Sequence, residues 1–217
     1  MDIAGRAGDD RQVYASLKEV ECRGFVERVL GEWSHQTRER TPGQPAGAYT
    51  ERSAAQMRPA RVDVRPALDA DAEAAVEVLR RSITEVCLAD HQNDAPTLER
   101  WLRNKTPEQF RSWRSWPDNF LVVANCAGII CGVGAIRQSG DLELLYVHPS
   151  YQRRGIGRAI LMVLESRARE WGVPTIRLTA SATARSFYEH FGYEFLPEES
   201  SPGYGVLYDY RYRKLLS

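Results

Sequence analysis

The residues of this chain best suited to chemistry lie in one stretch, Leu144-Leu145-Tyr146-Val147-His148-Pro149-Ser150-Tyr151-Gln152-Arg153-Arg154-Gly155-Ile156-Gly157-Arg158. It reads as a strand, a loop with a proline, and then Gln-Arg-Arg-Gly-x-Gly-Arg opening a long amphipathic helix. Glycines at 155 and 157 strip side chains from a helix N-terminus, where backbone N–H groups lack intrahelical partners and can converge on an anion. Arg153, Arg154 and Arg158 add guanidinium donors around the same spot. A pyrophosphate suits such a cradle. A bare Gly-x-Gly also marks an ordinary turn. Here it follows a strand, has three arginines beside it, and precedes apolar positions at Ile160, Leu161, Val163, Leu164, Ala168 and Trp171. It is neither the dinucleotide fingerprint nor the P-loop, because it lacks G-x-G-x-x-G directly after a strand and lacks Gly-Lys-Ser/Thr.

The elements that must hold this segment are legible in the hydrophobic period. A short strand at Val62–Arg65 is followed by helical spacing from Asp69 to Val86, with acidic residues early and Arg80-Arg81 late, as the helix dipole prefers. A loop is expected at Leu88–Asp94, then short helices at Leu98–Arg103 and Pro107–Trp113. The second of these starts with the capping-box form Thr106-Pro107-Glu108-Gln109. Strands follow at Phe120–Ala124, Ile129–Ile136 and Asp141–Val147, the simplest arrangement being an antiparallel meander. The remainder reads helix Gly155–Trp171, strand Thr175–Ala180, helix Thr183–Phe191 and a terminal strand within Gly205–Arg213. The class is therefore mixed α/β or α+β, around one largely antiparallel sheet flanked by helices.

Residues 62–217 form the expected domain. Residues 1–61 read as an extension, with a short amphipathic helix within 10–33 and a polar, proline- and glycine-broken linker from Ser34 to Ala60. Met57 directly precedes the first convincing strand, so residues 1–56 are either an over-long reading of the gene or a dispensable appendage.

The segment Gln152–Gly157 resembles the Gln/Arg-x-x-Gly-x-Gly/Ala hallmark of the GNAT N-acetyltransferase superfamily, which lies between that family's fourth strand and third helix. A second stretch, Ser181 to Glu194, is similar to the family's Asn-x-x-Ala-x-x-hydrophobic-Tyr-Glu-x-x-Gly-Phe signature, with Ala184, Tyr188, Gly192 and Tyr193 in place. Ser181 stands where many members have Asn. The resemblance covers residues 62–217 and implies a GNAT-like fold and acetyl-CoA as cosubstrate. Its pyrophosphate would lie on Gln152 and the backbone of Arg153, Arg154, Gly155, Ile156, Gly157 and Arg158, with Ser181 nearby. Its pantetheine arm would pair like an added strand along Leu145, Tyr146 and Val147. A backbone N–H near Leu145 would polarise the thioester carbonyl.

The resemblance further implies Tyr188 as the general acid that protonates the departing thiolate. The competing reading of Tyr188 is core packing beside Phe187 and Phe191. An amine near pKa 10 needs help losing its proton. Asp141 and Glu143, expected on one strand face with Leu145, are the base candidates, Glu143 first; each is equally readable as an ordinary strand-end carboxylate. Asp90 and His91, in the loop after the first helix, are a second pair or else simply solvated. Trp101, Trp113 and Trp116 either line an acceptor pocket or pack beneath a long connection.

The expected activity is transfer of an acetyl group from acetyl-CoA to a primary amine, on a small molecule or a protein, by direct attack in a ternary complex with no metal. The alternative is a catalytically silent acyl-CoA-binding or sensing module. Equal numbers of basic and acidic residues, 29 each, argue against nucleic acid or an anionic membrane as partner. Almost all the basic residues are arginine, which reflects either anion recognition or arginine-rich codon usage. Hydrophobic content of 43% with 27% charge is ordinary for a globular chain. The start lacks the apolar core of a signal peptide, and the four scattered cysteines read as reduced thiols, so a cytoplasmic protein is expected. The sequence leaves the oligomeric state open; the C-terminal strand, Leu207–Tyr212, is the segment through which a homodimer would form.

Overall fold

A computed structural model describes residues 62–216. The helix within 10–33, the linker and the Met57 boundary lie outside the described residues. Strand β1 (Val62–Pro66) leads through a 3-10 turn (Asp69–Asp71) into α1 (Ala72–Arg81). The helix expected as far as Val86 changes its hydrogen-bond spacing at Ser82–Val86, a π turn closed by the Cys87 N–H on the Ser82 carbonyl. There the Thr84 hydroxyl takes the Arg80 carbonyl at 2.9 Å, in competition with the backbone. The expected loop Leu88–Asp94 contains a short helix, α2 (Leu88–His91). Helices α3 (Ala95–Leu102) and α4 (Pro107–Ser115) follow, the latter capped by Thr106 as its sequence predicts.

Strands β2 (Asn119–Cys126), β3 (Ile129–Arg137) and β4 (Leu142–Val147) form the meander, and β1 adds to it in the order β1-β2-β3-β4, every pair antiparallel. After α5 (Ile156–Glu170), β5 (Thr175–Ala180) begins a second ladder. It is completed by α6 (Arg185–His190), β6 (Glu194–Phe195), β7 (Ser201–Pro202) and β8 (Tyr208–Leu215), in the order β5-β8-β6 with β7 also on β8. Two-residue strands such as β6 and β7 are too short to show a period. The terminal strand begins and ends slightly later than expected and lies inside its sheet, with β5 on one side and β6 and β7 on the other.

The two ladders meet at one parallel bridge, Asp141 with Arg177, where the Arg177 N–H donates to the Gly140 carbonyl at 2.9 Å. Beyond it no β4–β5 ladder occurs among the described residues, and the strands part towards the C-terminal end of β4. The sheet is thus mostly antiparallel and mixed by that single contact, with helices on both faces.

All six residues of β4 are buried, and Cys131 to Ile136 of β3 are buried as well, so both faces of these strands are covered. Helix α5 lies directly on Gly132 and Gly134: a Cβ at Gly132 would come within 2.7 Å of Ile160, and one at Gly134 would overlap Ile160. Helix α1, also packed on β3, covers the opposite face. The absence of side chains at 132 and 134 brings α5 close, and that closeness sets where the start of α5 lies relative to β4.

Candidate active site

The His148 N–H still pairs with the Cys131 carbonyl, at 2.9 Å, so the ladder extends one residue past β4 before the chain turns through a 3-10 turn (Pro149–Tyr151). Arg153 at φ 61° and Gly155 at φ 77° then take the left-handed conformation. That bend is what delivers the chain into α5. A Cβ at Gly155 would meet nothing within 4 Å, so the turn opens onto free space, yet its φ disfavours any larger residue.

The first helical bond of α5 runs from the Ala159 N–H to the Gly155 carbonyl at 3.0 Å. The N–H groups of Ile156, Gly157 and Arg158 therefore have no intrahelical partner. Arg153, Arg154 and Arg158 are exposed around them, and no ion pair engages these three among the described residues. Arg154 stacks over Tyr151 at 5.2 Å. The Gln152 Nε2 is buried without a hydrogen-bond partner among the described residues. Orphan amide donors beside three unpaired guanidinium groups fit a polyphosphate and nothing apolar. The residues expected to form the cradle, Gln152 to Arg158, lie together at the start of α5.

On β4 the register places Leu145 opposite Gly134 and Leu144 opposite Ala135, but Leu142 opposite Ile136, leaving Glu143 as an extra, bulged residue. Because antiparallel ladder bonds alternate, and His148 bonds to β3, the N–H and C=O of Leu145 and Val147 point away from β3 towards the gap before β5. Tyr146, between them, bonds on the β3 side. The expectation that Asp141, Glu143 and Leu145 share a face is corrected. Leu145, opposite Gly134, faces α5, whereas Glu143 lines a cavity with Asp141. The bulge inserts one residue and so breaks a period of two.

That cavity, of about 300 Å³, lies between the start of β4 and Arg177–Thr179 of β5 and takes in Arg137, Asp141, Glu143, Arg177, Thr179 and Tyr212. Glu143 is buried, with the Arg137 Nε 3.9 Å from its Oε1. Asp141 accepts from the Ser139 hydroxyl at 2.7 Å. Arg137 itself stacks over Trp116, 4.5 Å from the ring centre. The arginines and Thr179 were not singled out by sequence. Alternation of Arg177 and Thr179 along β5 is the only local signal for them, and their meeting with β4 is a long-range event.

Tyr188 is buried at 2% exposure on α6, its ring edge-on to Tyr193 at 5.4 Å and tilted against Tyr212 at 6.4 Å. Tyr212 lines the cavity, so Tyr188 sits one ring behind it. Burial pushes the Tyr212 phenol up to about 12, with the Arg185 hydrogen bond acting against it and the Glu189 hydrogen bond with it. Ser181 is buried, and its hydroxyl accepts from the Ala184 N–H at 3.2 Å, which commits the side chain to the turn after β5.

Asp90 and His91 are not solvated loop residues; both are buried in α2. Asp90 Oδ1 accepts from the Ala182 N–H at 2.8 Å, and burial raises its carboxyl above the ordinary value despite the neighbouring Thr183, Ala182 and Ser181 donors. His91 accepts from the Asn93 N–H through Nδ1 at 3.1 Å and stands edge-on to Trp101. Neither lines the cavity. Of the tryptophans, Trp101 and Trp113 are fully buried packing, and Trp116 alone reaches the cavity wall.

The family model for the acetyltransferase (GNAT) domain matches residues 87–208. A provisionally named acetyltransferase of Bacillus subtilis (strain 168) is 33% identical over 67 residues, which span 31% of this chain and 46% of that protein. Among solved structures, a GCN5-related N-acetyltransferase from Rhodopseudomonas palustris superposes with a TM-score of 0.63 at 23% identity, covering 71% of this chain and 95% of its own. The PaiA N-acetyltransferase of Thermoplasma acidophilum, solved in complex with coenzyme A, gives 0.60 at 21% identity, covering 72% and 99%. At these identities the superpositions show the fold. No helix among the described residues is long and apolar enough to cross a membrane.

Proposed function

The chain belongs to the GNAT acetyltransferase family, and we propose that it transfers the acetyl group of acetyl-CoA to a primary amine by direct attack in a ternary complex. The observation that carries this reading is the open left-handed turn at Arg153–Gly155, after which the N–H groups of Ile156, Gly157 and Arg158 have no intrahelical partner and stand beside exposed arginines. Coenzyme A in the Thermoplasma acidophilum relative supports the choice of anion.

In this reading α5 and Gln152 hold the pyrophosphate. The outward C=O of Leu145 and the outward N–H and C=O of Val147 pair with the amides of the pantetheine arm where β5 has left the edge of β4 free. The Leu145 N–H, fixed in the sheet before the reaction begins, steadies charge developing on the thioester oxygen. Glu143, with Asp141 beside it, takes one proton from the incoming ammonium. The C–N bond then forms as the C–S bond breaks. Tyr188 gives its proton to the departing sulfur, and the second proton leaving the nitrogen restores the phenol.

Calorimetric titration of the full chain with acetyl-CoA, repeated for Gly157→Glu, tests the cradle. Binding by the wild type that is lost in the variant is the expected result, since the carboxylate would replace the anion. No wild-type binding would overturn the reading. Release of free CoA thiol over a panel of amines separates an enzyme from a silent acyl-CoA-binding module.

A further inference from the structure

The charges lining the cavity do not all cancel one another. Arg137 is taken up by Asp118 at 2.9 Å and by Glu143 at 3.9 Å. Arg211 faces the buried carboxylate of Asp209 at 3.5 Å. After these pairs, the wall retains Arg177 of one sign, and Asp141 and Glu199 of the other; no ion pair engages any of the three among the described residues. Arg177 is exposed, and its backbone N–H is bonded to the Gly140 carbonyl in the turn before β4, which keeps its Cα beside Asp141.

On the reading of acetyl transfer given above, we propose that the acceptor is a small zwitterionic amine, an amino acid or short peptide, whose carboxylate is held by Arg177. A cavity of about 300 Å³ lies at the small end of ligand pockets and admits a compact molecule. An amine arrives as a cation, which suits the Asp141 and Glu143 carboxylates. A second cationic centre placed at Arg177 would be repelled there, so that position favours an acceptor whose second charge is negative. A guanidinium offers paired donors that match a carboxylate, and that match is lost when the acceptor has none. Arg177 is therefore a specificity-determining residue; it takes no part in the proton transfers.

The test is CoA release from the full chain with pairs of acceptors that differ by one carboxylate: amino acids of graded size, each against its decarboxylated amine, with a diamine and a polyamine alongside. The carboxylate-bearing member of a pair should be turned over at about tenfold or higher kcat/KM. Arg177→Ala should raise KM for that member about tenfold with kcat little changed, leave the decarboxylated amine unaffected, and be partly rescued by Arg177→Lys. Because Arg177 is exposed, thermal melts should show all three proteins equally folded. Preference of the wild type for decarboxylated amines or polyamines overturns the proposal, and so does an Arg177→Ala variant that slows both members equally. Acetyl-CoA binding by the cradle with turnover of no acceptor in the panel also overturns it and leaves the cofactor reading intact. Absence of acetyl-CoA binding is the separate failure of that earlier reading.

Discussion

Asp90 accepts the Ala182 N–H at 2.8 Å across 92 positions of sequence, tying α2 to the turn between β5 and α6. The carboxylate that does so is buried and carries its charge at a cost, since burial raises its pKa. A group whose folded pKa lies above its unfolded value favours the fold in its protonated form. That contribution is complete below the ordinary value of 3.8 and is lost as pH rises through the higher folded value. Asp90→Asn keeps the acceptor and removes the charge. It should melt at or above the wild-type temperature at neutral pH, with the gap closing under acid. Asp90→Ala leaves the Ala182 N–H unpaired and should lose about 1–2 kcal/mol in denaturant titrations.

His148 has the opposite sign. Desolvation first, and then the Arg81 guanidinium whose Nη1 lies 3.0 Å from its Nε2, hold its pKa below the ordinary 6.5. A depressed pKa stabilises the fold above the unfolded value and withdraws that stability as pH falls through 6.5 towards the folded value. Melting temperature measured from about pH 7.5 down to 5 should fall more steeply in the wild type than in His148→Gln. Parallel curves would show that another group governs the transition.

Gly155 requires φ 77° and meets no neighbour, so space is not what reserves the position. Gly155→Val should cost about 1–2 kcal/mol through the backbone alone. It should also weaken acetyl-CoA binding, because relaxing the turn re-aims the first N–H groups of α5. Calorimetry and thermal melts on one sample read both effects.

Gly134→Ala should destabilise the protein by about 1–3 kcal/mol, because the added carbon overlaps the branched stem of Ile160 and α5 must back away. Acetyl-CoA affinity should fall in the same variant, since the cradle rides on that helix. Destabilisation with unchanged affinity would show the cradle to be independent of the packing.

Tyr188→Phe keeps the ring packing against Tyr193 and Tyr212 and removes the hydroxyl. If Tyr188 is the acid, kcat should drop by about 10²-fold or more with acetyl-CoA affinity nearly unchanged. Equal loss of binding and rate would return Tyr188 to a packing role.

What the sequence by itself determined is whatever depends on neighbours along the chain. The cradle from Gln152 to Arg158 needs glycine at a left-handed turn, arginines within a few positions and an apolar helical period after it, and each of these is a local property. The meander was legible for the same reason, because short turns leave consecutive strands little choice but to pair. Only the tertiary structure decided the rest. The bulge at Glu143 arises from fitting β4 against β3, and it moved Leu145 off the face that alternation assigned to it. Asp90 became buried because α2 folds against a turn far along the chain, and Arg177 joined Asp141 because β5 touches β4 at one bridge and then leaves it. Such contacts are set by long-range packing and by where two strands separate, and neither leaves a period in the residues that make them.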